Sequence, residues 1–179
     1  MKKTDAKMID YFVKLAQKES KKKRIIFERV NEVVYFTNGE FVCSFSAERP
    51  EQFLSLCGVF GLPVVGDFRK EYNNGNLCDS NFSVKGACDM QKKEDCNLSF
   101  TGVSVEVNDK KEVIDVFSDK KTVYFYNDKY TKPLKGMCFE GLNMNGLTCA
   151  CYKCLDIAVY ILPLKNCAKF EAVAKLMNN

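Results

Sequence analysis

The 179-residue chain contains no histidine and no tryptophan, and only four prolines. Without histidine there can be no Ser-His-Asp or Cys-His pair, no imidazole metal ligand, and no side chain whose ordinary titration serves acid–base work near neutral pH. An enzyme built from this sequence would have to work through carboxylates, lysine, tyrosine or thiolate. No acid, base and nucleophile set of those types is legible, so the sequence points to a non-enzymatic protein without a cofactor. Long apolar runs are missing too: none nears the ~18 residues of a transmembrane helix. The opening residues Met1-Lys2-Lys3-Thr4-Asp5-Ala6-Lys7-Met8 lack the apolar core and small-residue cleavage site of a signal peptide, so a cytoplasmic location is expected, with no membrane partner.

The apolar fraction of 46% and the length suit one α+β domain, residues 1–179, with a core of its own. Twenty-seven basic and 23 acidic side chains leave a net charge of +4. The isoelectric point is about 8.4, below the value of roughly 9 that marks dedicated DNA-binding domains; the excess permits nucleic-acid contact without predicting it. Ten cysteines in a chain kept in a reducing compartment read as small buried apolar side chains rather than disulfides.

Residues Asp5 to Lys22 predict an amphipathic helix, with Met8, Ile9, Phe12, Val13, Leu15 and Ala16 inward and Thr4 or Asp5 as its cap. From Arg24 the period becomes two. Ile25–Val30 and Val33–Thr37 read as strands joined at Asn31-Glu32, and Asn38-Gly39 predicts a type I′ turn into a third strand, Glu40–Ser46. Pro50 to Cys57 reads as a short helix ended by Gly58, and about 59–97 as a loop-rich middle with one or two short strands. Leu98–Val107 predicts a strand with a bulge at Gly102. Asn108 or Asp109 would then cap a helix with Val113, Ile114, Val116 and Phe117 inward, Asp109 and Glu112 having capping-box spacing. Strands are expected at Thr122–Tyr126, roughly Gly136–Phe139, Leu147–Tyr152 and Ile157–Leu162, and a terminal helix at about 167–177. The order lacks β-α-β alternation, which predicts mainly antiparallel sheet with two or more amphipathic helices packed on it.

Two clusters carry possible chemistry. Cys149, Cys151 and Cys154 place three thiols in six residues, a weak metal candidate. A structural zinc site takes four ligands, and the fourth would have to be Cys138, Cys167 or a more distant thiol. The alternative puts Cys149 and Cys151 on one face of a buried strand with Cys154 at its end. The spread-out Cys78, Cys88 and Cys96 include no close pair. Lys18, Lys21, Lys22, Lys23 and Arg24 close the first helix, while Lys110, Lys111, Lys120 and Lys121 flank the second expected helix. These cations either contact nucleic-acid phosphates or serve the helix dipole and solubility.

Two stretches together resemble one module of the bacterial DNA polymerase sliding clamp, over about half of the chain. The first runs from Tyr11-Phe12-Val13-Lys14-Leu15 through Arg24-Ile25-Ile26-Phe27-Glu28 to Val34-Tyr35-Phe36-Thr37-Asn38-Gly39-Glu40-Phe41-Val42, similar to the clamp hairpin. The second takes Asp109–Phe117 as the second clamp helix, Thr122–Tyr126 as the next strand and Ile157–Leu164 as the last, with Leu162-Pro163-Leu164 in place of its closing motif. The resemblance implies two helices against antiparallel sheets, their basic side chains facing duplex DNA. It puts Lys18, Lys21, Lys22, Lys23, Arg24, Lys110 and Lys111 at that face. It also implies a role in replication or maintenance of bacterial, phage or mobile-element DNA. Clamps carry three such modules, so encirclement would need several copies of this chain. The alternatives are a protein–protein interaction module that touches no nucleic acid, and a small thiolate-metal protein.

Overall fold

Spacings of three and four among Met8, Ile9, Phe12, Leu15 and Ala16 give the first helix one continuous apolar stripe, and that stripe decides how the first half of the chain packs. The computed structural model describes residues 3–89, 93–107, 112–135, 140–144 and 147–164. Among these the protein is α+β, with four α-helices and twelve strands in antiparallel sheets. Contacts gather into two compact units, Met1–Gln91 with Lys153–Val159, and Lys92–Tyr152 with Tyr160–Asn179.

In the first unit, α1 (Lys3–Glu19) precedes β1 (Ile25–Val30), β2 (Val33–Thr37), β3 (Phe41–Ser46), α2 (Pro50–Phe60), β4 (Phe68–Asn73), β5 (Asn76–Asp79) and α3 (Val84–Asp89). Hydrogen-bonded neighbours follow the order β5-β4-β1-β2-β3, then the first residues of β12 (Ile157–Ile161). An unbroken run of rings crosses this sheet. Phe12 of α1 meets Phe41 at 4.9 Å between centroids, Phe41 meets Phe36 at 5.7 Å, Phe36 meets Phe27 at 6.3 Å, and Phe27 meets Phe60 of α2 at 4.7 Å. Phe60 then reaches Tyr72 of β4 at 5.2 Å. Both longer helices therefore lie on one face. Each buried phenylalanine contributes about 1.5–3 kcal/mol and each ring pair about 0.5–1.5 kcal/mol more.

A buried carboxylate anchors the opposite face. Glu28 is fully buried on β1 and accepts from Arg69 Nε at 2.7 Å, Ser83 Oγ at 3.0 Å and the Lys85 backbone N–H at 2.8 Å. Ser83 Oγ also accepts from the Gly86 N–H at 2.9 Å, so serine and glutamate together satisfy the first turn of α3. At the edge of this unit Arg49, buried before α2, makes a bidentate pair with Asp156, at 2.7 Å and 2.6 Å. That pair holds the Asp156 carboxyl below the usual carboxylate range.

The second unit contains β6 (Lys93–Cys96), β7 (Ser99–Val107), β8 (Glu112–Ser118), β9 (Val123–Asn127), α4 (Asp128–Thr131) with a 3-10 turn at Lys132–Leu134, β10 (Glu140–Met144) and most of β11 (Leu147–Cys154). Strand order is β11-β10-β6 in one part and β7-β8-β9 in the other. Ile114 and Val116 of β8 pack with Val123 and Phe125. From the other face of β8, Phe117 meets Tyr126 at 5.1 Å, while buried Asp115 accepts from Ser104 Oγ at 2.6 Å, Thr131 Oγ1 and Lys135 Nζ.

Several expectations change. Residues 112–118 are a strand, not the second helix. The central strand β8 is covered on both faces, so its apolar residues do not alternate, and the run Val113, Ile114, Val116, Phe117 mimics helical spacing. The first helix starts at Lys3, which puts Asp5 in its first turn, buried, rather than at the cap; it ends at Glu19, so Lys21–Arg24 lie beyond it. The second helix runs through Gly58 to Phe60 and is ended by Gly61 at φ 70°. The type I′ geometry expected at Asn38-Gly39 is absent, since only Gly39 has positive φ there; Asn38 Oδ1 instead accepts from the backbone N–H groups of Glu40 and Phe41. Positive φ at both central positions occurs at Asn31-Glu32 and Asn74-Gly75. The middle, read as mostly loop, holds β4, β5, α3 and β6. The bulge near Gly102 appears as a register shift between Phe100 and Ser104. The strand expected at 136–139 and the helix expected at 167–177 lie outside the described residues.

A Cβ on Gly141 would stand 2.4 Å from Cys96 Sγ, 2.5 Å from Leu98 Cβ and 2.8 Å from the Cys96 carbonyl oxygen, so β6 and β10 approach this closely only over a glycine. Gly141→Ala should lower stability by about 1–3 kcal/mol in urea unfolding. An unchanged midpoint would contradict that packing.

Candidate nucleic-acid interface

The apolar arc of α1 fixes what its outer face must show. Met8, Ile9, Phe12, Val13, Leu15 and Ala16 are buried, and Lys7, Lys14 and Lys18 are exposed on the opposite side. At 3.6 residues per turn these three lysines fall within about 40° of arc and, at 1.5 Å per residue, span roughly 16 Å of the axis. Asp10 flanks the stripe, and the other two α1 carboxylates lie at its ends, Asp5 in the core and Glu19 beside Lys23.

Beyond Glu19 the chain turns sharply into β1. The Ser20 N–H donates to the Ala16 carbonyl at 2.8 Å, and the Lys22 and Lys23 N–H groups both donate to the Glu19 carbonyl at 2.8 Å. Ser20, buried, turns its hydroxyl onto the Gln17 carbonyl at 2.8 Å. After this closure of the helix end Lys21 and Lys22 are exposed to solvent in the turn that follows Lys18.

Of the seven cations expected at this face, Lys18, Lys21 and Lys22 are exposed and in no ion pair among the described residues. Lys23 Nζ sits 2.6 Å from Glu40 Oε2 and 3.6 Å from Glu19 Oε2, and Arg24 Nη1 sits 3.4 Å from Glu71 Oε2. Lys110 and Lys111 lie outside the described residues. The structure adds Lys7 and Lys14, which are not neighbours of the Lys18–Arg24 run along the chain; their offsets of 11 and four from Lys18 are the signal that places them on its helical face. Charge arithmetic carried another: residues 3–24 hold eight cations and three carboxylates, net +5, against +4 for the whole chain, so the remainder is net −1.

The thiols do not converge. No group of three Cys, Asp or Glu side chains able to hold a metal ion occurs among the described residues. Cys149 and Cys151 are buried on β11 in the second unit, while Cys154, in the first, lies 3.7 Å from Asp5 Oδ2. Cys138 and Cys167 lie outside the described residues. Burial pushes the Cys43, Cys57 and Cys96 thiols up, which holds them protonated. No described helix is long and apolar enough to cross a membrane.

Among the eight described free thiols only Cys78 is exposed. Among the described thiols a thiol reagent should therefore modify Cys78 first in the native protein, with Cys43, Cys149 and Cys151 reacting only on unfolding; fast native labelling of those three, read by mass spectrometry, would contradict their burial. No family model matches the chain, and no curated protein or solved structure matches it either.

Proposed function

We propose that the protein is a non-enzymatic, cytoplasmic module that holds duplex DNA by its phosphates, independently of sequence, through the outer face of α1 and the turn after it. The observation that carries this reading is the exposed set Lys7, Lys14 and Lys18 on the outer face of a helix whose other side is locked to the sheet, with Lys21 and Lys22 exposed in the turn that follows it. Phosphate contact needs only positive charge and reach, and it positions the duplex without reading its sequence. The likeness of residues 11–42 to a sliding-clamp module supports the same role, since the clamp helices turn basic side chains toward DNA. With a strand at 112–118, the interface rests on α1 rather than on two helices. A part in replication or maintenance of bacterial, phage or mobile-element DNA belongs to this proposal, as does assembly of several copies if DNA is to be encircled.

Five phosphate contacts give a slope of about −4.5 for log K against log salt, a loss of roughly 500-fold between 50 and 200 mM. Fluorescence anisotropy with two unrelated duplexes should show that slope and equal affinities. Lys14→Glu with Lys18→Glu should weaken binding at least tenfold, both sites being exposed and tolerant of substitution. Binding that ignores salt, or that survives this double substitution, would overturn the reading.

A further inference from the structure

The basic surface is not left at full strength. Lys23 and Arg24 continue the run of Lys21 and Lys22, yet each is engaged by a carboxylate that the fold delivers from elsewhere. Glu40 comes from the loop between β2 and β3 and meets Lys23 Nζ at 2.6 Å. Glu71 comes from β4, two strands from β2 in the sheet, and meets Arg24 Nη1 at 3.4 Å. Neither pair is forced by chain proximity, because Glu40 stands 17 residues and Glu71 47 residues from its cation. Both pairs are partly exposed: the Lys23 and Glu40 side chains are 32% and 37% accessible, and those of Arg24 and Glu71 58% and 21%. Exposed pairs of this kind contribute little to folding, so their effect on stability is small. Their effect on an incoming polyanion is not. A cation already neutralised by a carboxylate must break that pair to take a phosphate, and the carboxylate left behind repels the same phosphate.

We propose that Glu40 and Glu71 are intramolecular competitors for the phosphates, holding Lys23 and Arg24 out of the contact and setting the affinity of the α1 face for duplex DNA below what its cations could give. This inference rests on the reading of that face as a phosphate-binding surface. Its consequence is a weak, mobile grip: five cations engage, two stand in reserve, and DNA is not held so tightly that it cannot move across the surface. Replacing either glutamate by the isosteric glutamine removes the competing charge and keeps the side-chain volume.

The test compares the full-length wild-type chain, Glu40→Gln/Glu71→Gln and a control pair, Glu48→Gln/Glu51→Gln, binding a mixed-sequence duplex between 50 and 300 mM salt. Glu48 and Glu51 are exposed residues of the same unit, in no ion pair among the described residues, so the control makes the same change in net charge without releasing a described cation. Arg24 set free, and Lys23 left with only its longer 3.6 Å contact to Glu19, should steepen the salt slope by about 0.9–1.8 and, referred to 1 M salt, tighten binding at 0.1 M by roughly 8- to 60-fold. The control should change neither by more than about twofold. Circular dichroism and thermal melting of all three proteins establish that they are folded alike. Wild-type binding with an unchanged slope in Glu40→Gln/Glu71→Gln overturns the competitor role and leaves the phosphate-binding reading standing. An equal gain in the control overturns it as well, since net charge alone would then account for the effect. No binding by any of the three at 50 mM salt overturns both.

Discussion

Everything on the basic surface depends on a row of aromatic rings beneath it. Phe12, Phe41, Phe36, Phe27, Phe60 and Tyr72 touch in sequence from α1, across the sheet, to α2 and β4. Burying one face of α1 in this row leaves the helix no rotational freedom, because turning it by half a turn would expose Met8, Ile9 and Phe12 and bury Lys7, Lys14 and Lys18 without partners. The cost of the second alone is prohibitive for three ammonium groups. The outward alignment of the lysines is therefore a consequence of core packing and needs no contact of their own to maintain it.

Around that row, buried polar groups act as ties rather than as chemistry. Glu28 holds α3 to the opposite face of the sheet through Ser83 and the Lys85 N–H, and Arg49 joins the start of α2 to Asp156. In the second unit Asp115 gathers Ser104, Thr131 and Lys135 in the same manner. Each carboxylate is charge-assisted and multiply satisfied, which is the condition under which a buried charge is tolerated. Removing one partner from such a cluster strands the rest, so each tie fixes several elements at once.

The sequence made much of the first unit legible, because its elements carry strong local signals. α1 has one buried face, β1 to β3 are short runs rich in β-branched and aromatic residues bounded by turn residues, and Pro50 marks the start of α2. Reading failed where burial is two-sided or where side chains replace backbone turns. β8 is covered on both faces and loses the period of two, so Val113 to Phe117 passed for a helix. At Asn38 the side-chain oxygen takes the backbone donors of the next residues, and the positive φ expected there moved to Asn74-Gly75, in a stretch taken for loop. The candidate site was half legible: Lys18, Lys21 and Lys22 stood out as a run, whereas Lys7 and Lys14 join them only when the helix is wound, and the neutralisation of Lys23 and Arg24 depends on residues brought from β4 and a distant loop. No chain-local signal could have shown that last feature.

The central claim is that the outer face of α1 is where DNA lies, and lysine acetylation rates measured by mass spectrometry, with and without saturating duplex at low salt, test it residue by residue. Duplex should slow modification of Lys7, Lys14, Lys18, Lys21 and Lys22 severalfold and leave the exposed Lys120, Lys121 and Lys153 unchanged. Equal rates at the α1 lysines with and without DNA, or protection centred on Lys120 and Lys121, would contradict it.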